Sequence, residues 1–226
     1  MKNRFTVLLE IFLTALILLS CEKEPLPAGI ATRVHGRVFD EVNQIPISSL
    51  KIRVEEWNAI GTFPGIVDSF KGFIDSVDTD FNGDYDLTFE TTGKGTWYTL
   101  SLASREDITF IRSWKKRIDT TNIGASEQVN FEVLKLYPVN LVIKTTESFQ
   151  YPICISTIHG PYDIPPHPKS QLTSKRNIWL DKNEQNLIVF RIQEGSSTLK
   201  AEKFVPATNS KTIETVELAL VLEDFN

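Results

Sequence analysis

Apolar and polar residues alternate with a period of two along most of this 226-residue chain, and that spacing decides what it can fold into. Leu50, Ile52 and Val54 alternate with Lys51, Arg53 and Glu55. Tyr85, Leu87 and Phe89 alternate with Asp86, Thr88 and Glu90, and Val129, Phe131 and Val133 with Gln128, Asn130 and Glu132. Successive strand side chains point to opposite faces, so each run buries one face and wets the other, as antiparallel sheets do. Runs of the same kind cover residues 33–39, 96–102, 139–145, 187–192 and 212–222. Turn signals separate them: Asn43, Gly61, Pro64-Gly65, Asn82-Gly83, Gly93, Gly124 and Gly195. No segment carries a helical stripe. The expectation is an all-β chain of two consecutive antiparallel β-sandwich domains, residues 30–135 and 136–226, divided near Leu136-Tyr137-Pro138, with one extended sandwich as the competing reading.

The N-terminus sets an address. Lys2 and Arg4 precede an apolar stretch whose unbroken core is residues 11–19, with Glu10 before it. A spanning helix needs roughly 20 apolar residues, so the segment reads as the h-region of a signal peptide covering residues 1–20. The sequence Leu18-Leu19-Ser20-Cys21 resembles the lipobox of bacterial lipoproteins. That resemblance implies cleavage after Ser20 and lipidation of Cys21, with two or more acyl chains giving stable membrane anchoring. Residues 21–29 then form a tether: Glu22-Lys23-Glu24 is charged, and Pro25-Leu26-Pro27-Ala28-Gly29 favours turns over regular structure. Acidic residues directly behind the cysteine are similar to the surface-export signal of Bacteroidetes-type lipoproteins. The expected location is therefore the outer membrane, with the outward face preferred and the periplasmic face as the alternative.

Charge and cysteine content exclude several functions. The formal net charge is −5, and loss of residues 1–20 with Lys2, Arg4 and Glu10 leaves the body one unit more acidic. No basic stripe exists for nucleic acid. Lys115-Lys116-Arg117 beside Trp114 is too short to form one and reads as a solvated strand end. With Cys21 lipidated, Cys154 has no intrachain partner, so stability must come from burial. Its setting, Ile153-Cys154-Ile155, suggests a buried structural thiol.

Several segments of the first half fit one family. They are Val34-His35-Gly36-Arg37-Val38-Phe39-Asp40, Ile45-Pro46-Ile47 and, later, Thr79-Asp80-Phe81-Asn82-Gly83-Asp84-Tyr85. Together they resemble the carboxypeptidase regulatory-like, or transthyretin-like, family over roughly residues 30–105. The resemblance implies a seven-stranded sandwich and an accessory module without catalytic residues. Residues 57–73 form an insert relative to that pattern.

Two readings compete at Asp78-x-Asp80-x-Asn82-Gly83. The spacing matches the first half of a calcium loop, with Asp78, Asp80 and Asn82 as oxygen ligands. The twelfth position is Phe89 where a bidentate glutamate is required, and the following residues alternate like a strand. A tight hairpin turn with Gly83 at positive φ accounts for the same residues and is the preferred reading.

Catalytic motifs are missing from the sequence: it holds no G-x-S-x-G, H-E-x-x-H, phosphate loop or dinucleotide-binding glycine pattern. His159 and His167 lack zinc-ligand spacing and read as residues of a surface loop. The remaining signal is aromatic. Trp57, Trp97, Trp114 and Trp179 sit near turns or on polar strand phases, where an indole offers apolar area plus one donor to a ligand. The expected function is a non-catalytic envelope lipoprotein that binds a glycan or an envelope protein. The alternative is a glycan hydrolase, whose paired carboxylates would be placed by the fold and not by sequence spacing.

Overall fold

The computed structural model describes residues 23–62, 65–159, 164–207 and 213–226. The lipobox and Cys21 lie outside the described residues. Among the described residues the regular structure is almost all strand: β1 (Ala31–Asp40), β2 (Ile45–Pro46), β3 (Lys51–Thr62), β4 (Gly65–Asp78), β5 (Asp84–Glu90), β6 (Trp97–Leu102), β7 (Ile108–Phe110) and β8 (Lys115–Ile118) come first. They are followed by β9 (Ser126–Gln128), β10 (Phe131–Lys135), β11 (Tyr137–Thr145), β12 (Ile153–Thr157), β13 (Thr173–Leu180), β14 (Asn186–Glu194), β15 (Ser197–Val205) and β16 (Glu214–Leu220). The all-β class expected from the alternation is what forms.

Two compact units result. The first comprises residues up to Val38, Pro46–Ala103 and Ser113–Phe131; the second comprises Phe39–Ile45, Ser104–Arg112 and Glu132–Asn226.

In the first unit, β4-β3-β6-β8 form one antiparallel sheet. β1 pairs antiparallel with β5 and parallel with β9. Ile52, Val54, Tyr98, Leu100 and Ile118 point inward from the four-stranded sheet and are fully buried. Phe89 of β5 meets Tyr98 of β6 at 5.4 Å, so the two sheets face each other across a shared core. Thr79 ties the layers together locally: its hydroxyl donates to Ile47 O at 2.6 Å and accepts from Leu50 N at 3.0 Å.

In the second unit, β11 is the centre of a sheet with β13 antiparallel and β16 parallel, while β12-β14-β15 form an antiparallel sheet. The core draws on both: Leu141 and Ile143 of β11, Ile178 of β13, Ile153 and Ile155 of β12, and Ile188 and Phe190 of β14. The parallel pairing of β11 with β16 departs from an all-antiparallel expectation. The chain leaves the first sheet after β13, traverses β14 and β15 in the second, and returns beside β11, a crossover that a hairpin cannot make.

One long element was illegible in the sequence. Residues 65–78 form β4, which pairs with β3 from Thr62↔Gly65 to Lys51↔Asp78. Register shifts between Val54/Glu55 and Glu56/Trp57 mark two bulges, and most of β4 is exposed, so no alternation survives. The segment expected to be an insert is therefore the greater part of a β-hairpin.

Cys154 corrects a second expectation. It is exposed between buried Ile153 and Ile155, because the middle residue of three in a strand faces the opposite way from its neighbours.

Candidate functional site

The outward face of the β4-β3-β6-β8 sheet collects three of the four tryptophans singled out in the sequence. Strand register sets their neighbours. Arg53 of β3 lies between Ser76 and Ser101, Glu55 between Phe73 and Thr99, and Trp57 between Phe70 and Trp97. β8 then places Lys115 beside Ser101 and Arg117 beside Thr99. Side chains on one face of an antiparallel sheet meet their cross-strand partners directly, so three rows of residues lie side by side.

Rings and cations interleave on this face. Trp57 and Trp97 stack at 5.3 Å with planes 17° apart. Lys115 Nζ sits 4.4 Å from the Trp57 ring centre and 4.6 Å from that of Trp114. The Arg117 guanidinium lies 4.6 Å over Trp97. In the other direction Trp57 meets Phe70 at 5.2 Å, Phe70 meets Phe73 at 5.2 Å, and Arg53 lies 5.0 Å over Phe73. Such cation–ring contacts contribute about 0.5–1 kcal/mol each at exposed sites and more when water is excluded.

A buried carboxylate underlies the array. Glu55 is 4% exposed, and Lys115 Nζ approaches its Oε2 at 2.6 Å. Trp57 Nε1 donates to the same oxygen at 3.0 Å, and the Thr99 hydroxyl donates to it at 3.2 Å. Burial alone would raise the Glu55 pKa; hydrogen bonds from Lys115, Ser101 and Trp57 outweigh it and hold the carboxyl below its usual range. The alternation puts Glu55 on the wet phase, whereas Glu55, Thr99 and Ser101 are all buried beneath the longer side chains of this face. Lys115 corrects the reading of a solvated strand end for the same reason: its side chain is only 24% exposed.

Glu56 points to the opposite face. It is 2% exposed and accepts from the Thr92 hydroxyl at 2.7 Å and from the Tyr98 hydroxyl at 2.8 Å. The two adjacent glutamates thus cannot act as a pair on one substrate, since the strand separates them.

Trp179 does not join the others. It belongs to β13 in the second unit, where its Nε1 donates to Glu106 Oε2 at 3.3 Å. It lines a groove of about 730 Å³ with Ile164, Arg176 and Ile213.

At the sequence-flagged hairpin, Asp80 Oδ1 accepts from Asn82 N at 2.8 Å and from Asp84 N at 2.9 Å, and Gly83 has φ +79°. Asp78 pairs with Lys51 Nζ at 3.0 Å. Asp78 and Asp80 border an open groove of about 590 Å³ with His35 and Asp86. Among the described residues, no group of three or more His, Cys, Asp or Glu side chains is placed to hold a metal ion.

Asn82-Gly83 and the tryptophans were visible in the sequence as types. Their assembly was not, because Trp57, Trp97 and Trp114 come from separate segments joined only by β3–β6–β8 pairing. No helix among the described residues is long and apolar enough to cross a membrane.

No protein-family model matches the sequence, and no curated protein matches it. Solved structures that the chain resembles in part include a streptococcal ancillary pilin, 8% identical with a TM-score of 0.42, covering 84% of this chain and 62% of the pilin. A second is GBS52, the minor pilin of Streptococcus agalactiae, 8% identical with a TM-score of 0.39, covering 84% and 94%. A third is the shaft pilin SpaA of Lactobacillus rhamnosus GG, 7% identical with a TM-score of 0.34, covering 85% and 98%. This chain thus spans less than two thirds of the ancillary pilin's length. At these identities and scores the likeness carries no functional inference.

Proposed function

We propose that this chain is a non-catalytic lipoprotein of the cell envelope, anchored in the outer membrane by lipid on Cys21, whose first unit is a transthyretin-like binding domain. Its docking surface is the face of Trp57, Trp97 and Trp114, and its partner is a glycan or an envelope protein. The observation that carries this reading is the convergence of three tryptophans from distant chain segments onto one sheet face, in contact with Lys115 and Arg117. Large apolar patches on a folded surface mark interaction sites, and Trp114, Phe70 and Phe73 are each about half exposed here. The Cys21 anchor rests on the lipobox alone.

Two measurements test the proposal: ligand binding by the purified chain in detergent micelles, and lipid incorporation in living bacteria that express it. Binding to arrays of glycans and of envelope proteins should be saturable, should occur without turnover, and should be abolished by Trp114→Ala. Labelled palmitate should enter the wild-type chain and not Cys21→Ser. Turnover of a bound glycan would overturn the non-catalytic reading, and binding indifferent to Trp114 the docking surface; palmitate in Cys21→Ser would overturn the anchor.

A further inference from the structure

We infer that the tryptophan face recognises an anionic polysaccharide, one bearing carboxylates or sulfates along its chain; this rests on the docking surface proposed above. The argument begins with what the rings have left to offer. A neutral sugar stacks on the flat face of an indole, but Lys115 lies over Trp57 and Arg117 lies over Trp97, and the two indoles stack on each other. The ring faces are therefore largely occupied within the fold. A guanidinium stacked on a ring keeps its N–H donors in its own plane, in the fork geometry that suits a carboxylate or sulfate. Stacking also holds it in place, so less side-chain freedom is lost when the anion arrives.

Charge points the same way. Within the three rows the cations Arg53, Lys115 and Arg117 outnumber the one acid, Glu55, which Lys115 neutralises; Asp75 beside Arg53 and Asp119 near Arg117 border the face. An excess of positive charge here stands out on a chain whose net charge is −5. The cations are flanked by half-exposed rings, Phe70 and Phe73 on one side and Trp114 on the other. Alternating apolar plates and point charges match a chain of pyranose rings with an anion on its repeats. An acidic peptide would gain most by adding a strand to the β4 edge, and the two register shifts in the β3–β4 ladder interrupt that edge.

The test uses two forms of one polymer. The full-length chain in detergent is titrated with polygalacturonate and with the same polymer fully methyl-esterified, whose carboxylates are capped as neutral esters. Dextran and poly-glutamate serve as the neutral-sugar and acidic-peptide comparisons. Polygalacturonate should bind saturably, and its affinity should fall at least about tenfold between roughly 50 and 500 mM salt. Arg117→Gln should weaken binding about tenfold, Arg117→Lys less, and the methyl ester and dextran should not compete. Arg117 is an exposed strand residue, so its replacement leaves the core intact; an unchanged thermal midpoint for Arg117→Gln verifies that. Equal binding of the methyl ester, or binding indifferent to Arg117, overturns the anionic ligand while the docking surface stands. Equal binding of poly-glutamate overturns the sugar. If no glycan and no envelope protein binds at all, the docking surface itself fails.

Discussion

Gly36 and Tyr85 lie opposite each other in the β1–β5 ladder, and both meet the carbonyl of Val129. The Tyr85 hydroxyl donates to Val129 O at 2.5 Å, while a Cβ on residue 36 would overlap that same carbonyl. Burial, with Glu127 nearby, raises the Tyr85 phenol above its ordinary pKa, so it remains a donor at neutral pH. Tyr85→Phe removes the donor and should cost about 1–2 kcal/mol. Gly36→Ala should cost more, about 2–3 kcal/mol, because backbone has to move. Urea denaturation of the two variants decides the order, and an alanine that costs less than the phenylalanine would contradict this packing.

The Glu55–Lys115 pair should behave as a buried one. Lys115→Met leaves a nearly inaccessible carboxylate without its cation, and should lose about 3 kcal/mol. Adding Glu55→Gln should restore part of that loss, a coupling that a double-mutant cycle measures. The pH dependence has a definite sign. Because the folded pKa of Glu55 is lowered, its contribution is complete above the ordinary glutamate value of about 4.3 and disappears as pH falls through the folded value. Wild type should therefore lose stability relative to Glu55→Gln only in acid.

His167 has the same sign in a different window. It is fully buried, not on the surface loop the sequence suggested, because its backbone bridges to Ile153 and its Nδ1 lies 2.5 Å from the Ser174 hydroxyl. Burial lowers its pKa; the backbone of Gln171 opposes this, and Arg176 adds to the lowering. The unfolded state thus takes up a proton first, below about 6.5, and the stability contributed by neutral His167 is lost as pH falls through its folded value. Thermal midpoints between pH 7.5 and 5 should drop for wild type and flatten in His167→Gln.

The Asp80 turn should stand without metal. Asp80→Ala removes the acceptor for Asn82 N and Asp84 N and should cost about 1 kcal/mol. If these bonds are its role, the loss is the same in EDTA and in millimolar calcium. A calcium-dependent rise in the wild-type midpoint that vanishes in Asp80→Ala would instead restore the calcium loop.

Cys154 offers a count of thiols. Being exposed on β12, it should react with a maleimide in the folded chain, whereas a buried thiol would need denaturant. Chain purified from membranes should take one label if Cys21 is lipidated and a second if it is not.

Alternation carried as far as one face of a strand was dry and the other wet. That is why β1 and β5 were legible, each alternating buried positions with exposed ones, whereas β11 and β14 bury Leu141-Val142-Ile143 and Ile188-Val189-Phe190 in succession. β6 shows the limit. Tyr98 and Leu100 are buried in the core, and Thr99 and Ser101 are buried too, under the ring-and-cation array. A polar phase in sequence became a covered face in space. At β4 the failure is the reverse, since exposure on both sides and two bulges erase the period.

The sequence by itself determined the all-β class, the hairpin turn at Asn82-Gly83 and which residue types were available to meet a ligand, because these depend on neighbours a few positions apart. Only the tertiary structure decided that Trp57, Trp97 and Trp114 share a face, that Trp179 does not, and that Glu55 is buried beneath Lys115. Those outcomes depend on which strands pair and in what register. Register between segments tens of residues apart is fixed by the burial of a whole sheet face, and no local pattern encodes it.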